Sequence, residues 1–371
     1  MAYRSRSLSS IGTRPQLVKR GVVDRAEAWW QTISRAGRIS MVRLVLYFLV
    51  AAAFCLASCG GSSGAAVDTA SDSGSDSDTL IQPPCSESDQ FVAADMGALI
   101  TYELLDMPSD VVIADQTSYR TDEGEVRLYF WAGKMGLENT GAYSVVTVDG
   151  ITVSLEEGLR VPSPYGHPKL FRLDTGEIRI FHLIPEGLGS HISEDGLHFT
   201  SEEGMRISSD DAGLERIGGM SVVALPAGGY RGYFSNLGIP GVSPADTVDQ
   251  IKSATSPDQL NWQIDGGVRI GQDAPHLTGR GRQPFALDRG EGCITLFYQH
   301  IDTQPTKLYY ATASDGLVFG QEYALGIEGW DGPEAGANIQ QLGDDSYRLF
   351  YDAQSAELGN HIRVATFQLV P

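Results

Sequence analysis

The sequence is poor in the residues that hold metals and cofactors. It has four cysteines and seven histidines in 371 residues. No Cys-x-x-Cys or His-x-x-x-His spacing occurs, so neither a metal site nor a cofactor is expected. Basic residues are also scarce: 27 Lys+Arg stand against 47 Asp+Glu, a net charge of −20. That balance excludes nucleic acid and anionic lipid surfaces as natural partners. No uncharged apolar run reaches the ~20 residues needed to span a bilayer. From residue 85 onward there is no helical periodicity, which excludes bundles and α/β folds.

The one long apolar run is Leu44–Ala57. It is short for a membrane span and fits the apolar core of an export signal, typically ~7–15 residues. Arg43 precedes it, and Leu56-Ala57-Ser58-Cys59 follows. This tetrapeptide resembles the lipobox of bacterial lipoproteins, which implies cleavage before Cys59 and a lipid on its sulfur. An uncleaved anchor helix is the alternative. Either reading places the rest of the chain outside the cytoplasm, on the cell envelope, with the lipid as its only membrane contact. Residues 1–40 make an unusually long leader, and Met41-Val42-Arg43 would begin a normal one.

Residues 1–58 are therefore set aside as the signal region. Removing their nine basic and two acidic residues leaves 18 against 45, a formal charge of −27. Residues 59–84 are Gly, Ser, Asp and Thr with little apolar content, and they read as a lipidated flexible linker. Residues 85–371 are the folded part. Two cysteines remain there, Cys85 and Cys293, which in an oxidising compartment either pair or stay as thiols.

An internal repeat organises this part. Val126-Arg127-Leu128-Tyr129-Phe130 recurs as Ile178-Arg179-Ile180-Phe181-His182, Tyr230-Arg231-Gly232-Tyr233-Phe234, Ile294-Thr295-Leu296-Phe297-Tyr298 and Tyr347-Arg348-Leu349-Phe350-Tyr351. The aromatic anchors Tyr129, Phe181, Tyr233, Phe297 and Phe350 are 52, 52, 64 and 53 residues apart. β-Branched and aromatic enrichment marks each segment as a strand, and a Gly/Asp turn precedes each one. Three units continue into a second turn, beginning at Ser193, Ser256 and Ser314, with an aromatic residue closing beneath it. About four strands per ~52 residues is the pattern of a β-propeller, so the expected fold is all-β with five blades. The last unit lacks a clear fourth strand, and Gly97–Leu105 is expected to supply it and close the ring. A monomer is expected. The recurring Arg127, Arg179, Arg231 and Arg348 argue for a structural role between blades.

The strand, Gly/Asp turn, aromatic strand and Ser-x-Asp-Gly turn together resemble the five-bladed propellers of the arabinanase, xylosidase and β-fructosidase glycoside hydrolases (family 43/32-like), over about residues 98–371. The resemblance implies three carboxylates around the central channel, near the starts of the innermost strands. Asp115, in Val112-Ile113-Ala114-Asp115-Gln116, matches the first, with Gln116 where proline is usual. Where the second and third carboxylates are implied, the chain has Gly166-His167-Pro168-Lys169 and Gly218-Gly219-Met220-Ser221. Two of three positions are thus empty, and either hydrolytic route needs two carboxylates. Glu334 is the candidate second acid. His167, His276, Arg280, Arg282 and Asp331 are candidate ligand contacts, although each also reads as an ordinary loop or charge-balancing residue. A glycan is the expected ligand. A glycan-binding propeller without catalysis, an active glycosidase and a protein-interaction or structural envelope propeller all remain open.

Overall fold

The computed structural model describes residues 85, 90–134, 139–163, 166–237, 248–276, 279–342 and 346–370. The signal region, the linker and Cys59 lie outside the described residues. The described chain is almost wholly β, with one four-residue helix, Ser209–Ala212. None of its helices is long and apolar enough to cross a membrane.

Five small antiparallel sheets form the blades of a propeller. Blade I runs outward from Val112–Arg120 through Val126–Gly133 and Gly141–Thr147 to Ser154–Leu155. Blade II comprises Lys169–Arg172, Ile178–Ile184, Gly187–Ser193 and Thr200–Ser201. Blade III comprises Ser221–Ala224, Tyr230–Ser235, Ile251–Ser256 and Gln263–Ile264. Blade IV comprises Gly281–Asp288, Ile294–His300, Lys307–Ala313 and Tyr323–Ala324. Blade V begins with Glu334–Gln341, Tyr347–Ser355 and Gly359–Val370, and its next strand is Gln90–Ile100 from the other end of the chain. Each inner strand packs on the next, and the first packs on the last, so the ring is closed. The closing strand begins seven residues earlier than the sequence pattern suggests and ends five residues earlier. It pairs Gln90 with Val370 and ends at Ile100, after which residues 102–106 turn.

The five aromatic anchors are fully buried. At roughly 1.5–3 kcal/mol for each large apolar side chain removed from water, they are the main glue between adjacent blades. A polar lattice fixes the blade register around them. Arg127 of blade I donates to the Asp195 carbonyl of blade II at 2.8 Å. Arg179 of blade II reaches the Asp258 carbonyl of blade III, and Arg231 of blade III the Asp315 carbonyl of blade IV. The three arginines pair with Glu156, Glu202 and Asp265 respectively. These three recurring arginines thus hold blades I, II and III to the turn of the next blade. Those turns are Asx turns: Asp149, Asp195, Asp258 and Asp315 each accept two backbone N–H groups through one carboxylate oxygen. The first, Thr147-Val148-Asp149-Gly150, is a fourth copy that the Ser-x-Asp pattern does not reveal.

Cys85 and Cys293 form a disulfide, with Cα atoms 5.5 Å apart. It joins the segment before the closing strand to the turn that opens the second strand of blade IV.

Candidate functional site

The register of the repeat defines the channel. Fourteen residues before each aromatic anchor stand Asp115, His167, Gly219, Gln283 and Gly336. Three of the inner strands carry a bulge at this point. Asp115, His167 and Gln283 adopt left-handed backbone angles there, with φ of 63°, 55° and 50°. Non-glycine residues are seldom held in this region unless the surroundings enforce it, and such strain clusters at functional sites.

The three residues converge. Asp115 is buried, and its Oδ1 lies 2.9 Å from His167 Nδ1 and accepts Gln283 Nε2 at 2.7 Å. Its Oδ2 accepts the His167 backbone N–H at 3.1 Å. The fifth position is glycine because a second carboxylate needs the room: a Cβ on Gly336 would overlap Asp352. Asp352 follows the anchor Phe350 by two residues, and both its oxygens accept the Asp115 backbone N–H, at 3.0 and 3.1 Å. Lys169, also buried, donates to the Gln116 carbonyl at 3.1 Å. It fills the space beside Gly219, where a Cβ would meet Lys169 Cγ at 3.1 Å and His167 Cβ at 3.2 Å. Gln116 bridges onward to the carbonyls of Gly336 and Phe350. The indole N–H of Trp131 is tied to the Ser163 carbonyl, and its ring lies against Gly166 beside Asp115.

The electrostatics separate the two carboxyl groups. Burial alone would raise Asp115, but the facing His167 ring and the Lys169 ammonium outweigh it and hold the group at about 2. Burial pushes Asp352 well above the ordinary carboxylate range, and the Asp115 charge pushes it further the same way. Burial lowers the Lys169 ammonium, with Asp115 and Asp352 opposing. The cluster therefore sets a depressed carboxyl group against a raised one, with the Lys169 ammonium weakened by burial beside them.

The other candidates from the sequence lie apart from this cluster. The Glu334 carboxylate accepts Lys307 Nζ at 2.7 Å and the Leu308 backbone N–H at 3.0 Å, so it points into blade IV. Burial nevertheless raises its pKa. Arg282 is paired with the buried Asp249, and Arg280 with Asp302 at 2.7 Å. His276 and Asp331 are exposed. Among the described residues, no group of three His, Cys, Asp or Glu side chains could hold a metal ion.

Solved structures share this architecture. One is a glycoside hydrolase, with a TM-score of 0.55 at 12% identity, over 74% of this chain and 91% of that one. Another is an endo-arabinase from Bacteroides thetaiotaomicron, with a TM-score of 0.53 at 13% identity, over 73% and 97%. A third is an α-L-arabinofuranosidase from Podospora anserina in complex with cellotriose, with a TM-score of 0.51 at 12% identity, over 76% and 98%. The fold is that of the arabinanase-type glycoside hydrolases. No protein-family model and no curated protein sequence matches the chain. At these identities the likeness carries the fold alone, so any chemistry has to come from the channel residues. The arabinanase-type ring here closes on a packed cluster in which His167 and Gly219 occupy two of the positions where the resemblance implies carboxylates.

Proposed function

We propose that this chain is a carbohydrate-binding propeller, held on the bacterial cell envelope by a lipid on Cys59, and that it does not hydrolyse its ligand. The observation that carries this reading is how the two axial carboxyl groups are used. Asp115 has its oxygens occupied by His167 and Gln283, and the Asp115 peptide itself lies against Asp352. Both glycosidase routes need a sugar, or a sugar and a water, between the two carboxyl groups. Here the Asp352 oxygens are engaged by the Asp115 backbone N–H, and the Asp115 oxygens by His167 and Gln283. The partly exposed Trp131 and His167 beside the cluster offer the aromatic wall and hydrogen-bonding edge that a sugar needs. The cellotriose bound to the arabinofuranosidase of the same fold supports a glycan as the ligand class.

The test is to incubate the chain with aryl glycosides and neutral oligosaccharides, alongside Asp115→Asn. Binding without turnover supports the reading. Turnover that disappears in Asp115→Asn refutes it and favours a glycosidase. One observation favours that second reading: the Asp115 and Asp352 pKa values are pushed apart, as a base and an acid require.

A further inference from the structure

Blade III breaks the repeat at four equivalent positions, and the departures meet in one place. In the turn after the inner strand, Glu125, Glu177 and Cys293 of blades I, II and IV are matched by Gly229. One residue before the aromatic anchor, Leu128, Ile180, Leu296 and Leu349 are matched by Gly232. In the Asx turn, Gly150, Gly196 and Gly316 are matched by Gln259, which is fully buried and holds φ at 61°. Three residues on, Phe199 and Phe319 are matched by Trp262.

Several of these changes carry a cost. Glycine inside a strand loses packing and entropy, and a glutamine in the left-handed region is strained where the other blades use glycine. Two of the four, Gly229 and Trp262, line a cleft of about 540 Å³. Gly228, Gly229, Thr255, Asn261, Trp262 and Gln263 line it. Gly229 lies against Ser256, whose carbonyl would be 2.9 Å from a Cβ there, so any larger residue would fill the floor. A Cβ on Gly232 would meet Met220 first and then the indole of Trp262 at 3.1 Å, so the glycine leaves room for both, and the indole N–H donates to the Gln259 carbonyl at 2.9 Å. The ring is therefore fixed before any ligand arrives, while remaining partly exposed. The exposed amides of Asn261 and Gln263 flank it, and Asp258 holds the Asn261 amide at 2.7 Å. The cleft lies at the turn ends of the strands, whereas Asp115 sits near the start of its inner strand.

We infer that this cleft is a second binding site, separate from the axial cluster, for a neutral oligosaccharide. A fixed indole between two primary amides, with no ionised side chain lining the cleft, suits ring stacking and hydroxyl pairing and offers nothing to an anion. A pre-positioned aromatic also avoids the ordering cost of binding.

The test is a tryptophan-fluorescence and calorimetric titration of the full chain with xylohexaose, arabinohexaose and cellohexaose, with an oligogalacturonate as the anionic control. Asn261→Ala/Gln263→Ala changes only exposed side chains, and Trp262→Phe restores the residue used by blades II and IV. At least one neutral oligosaccharide is expected to bind. Affinity should fall about tenfold in the double variant and in Trp262→Phe, equivalent to ~1.4 kcal/mol, while Asp115→Asn leaves this binding unchanged. The inference is overturned if no neutral oligosaccharide binds, if only the oligogalacturonate binds, or if stoichiometry and affinity are both unchanged in the two cleft variants. Binding lost only in Asp115→Asn would place the ligand at the axis and remove the cleft.

Discussion

Asp352 accepts the backbone N–H of Asp115 through both carboxylate oxygens, at 3.0 and 3.1 Å. The last blade thereby ties down the strained residue of the first, exactly where the ring closes on itself. Both groups lose a proton as pH rises, but their contributions to stability run in opposite directions, because one pKa is depressed and the other raised.

Asp115 has a folded-state pKa depressed to about 2, so it contributes stability above its ordinary value of 3.8 and loses it as pH falls through about 2. The difference corresponds to ~2 kcal/mol. Asp115→Asn should lower the melting temperature at pH 7 and flatten the acid limb between pH 4 and 2. Thermal melts across that window check it, and an unchanged acid limb would count against the charge network.

Asp352 runs the other way. Its folded-state pKa is raised, so its unfavourable effect is absent below pH 3.8 and grows as pH rises toward the folded value. Asp352→Asn keeps an acceptor for the Asp115 N–H while removing the ionisable group. It should leave stability unchanged near pH 3 and raise the melting temperature by a few degrees at pH 7, at ~2–4 °C per kcal/mol for a domain of this size. Destabilisation at pH 7 would mean that Asp352 is ionised in the folded protein.

Gly336 adopts φ 52°, and a Cβ there would overlap Asp352. Gly336→Ala should cost about 2–4 kcal/mol in denaturant unfolding through combined strain and overlap. Gly228 has open space around it but φ of 90°, so Gly228→Ala carries the backbone strain alone and should cost less.

Arg179 and Glu202 form a nearly buried pair, with side chains 6% and 16% exposed, that also binds blade III. Arg179→Ala should cost roughly 3 kcal/mol, because Glu202 and Ser190 keep a buried charge without its partner. The exposed Arg172–Asp122 pair is the control, and Arg172→Ala should cost under ~1 kcal/mol.

The fold was legible because the anchors Tyr129, Phe181, Tyr233, Phe297 and Phe350 repeat with a period the structure preserves, and the arginines two residues before the first three bind the neighbouring blade. Strand ends were less legible: the closing strand stops at Ile100 because pairing with Gly359–Val370, not apolar content, sets its length. The site was only partly legible. Asp115 and His167 stand out by type, but Gln283 and Lys169 become visible only when residues are counted back from the anchors. Asp352 lies on a second strand and reaches the axis only because Gly336 leaves it room. Glu334 is two residues from the channel position at Gly336, yet Lys307 and Leu308 turn it into blade IV.

The most direct test of the account is to hold the chain with neutral oligosaccharides at pH 7 and measure bound ligand by calorimetry and released reducing ends in the same samples. Saturable binding is expected, weakened by His167→Ala or Gln283→Ala, with no reducing ends above the blank. Release of reducing ends that is lost in both Asp115→Asn and Asp352→Asn would contradict it and make the axial pair a working acid and base.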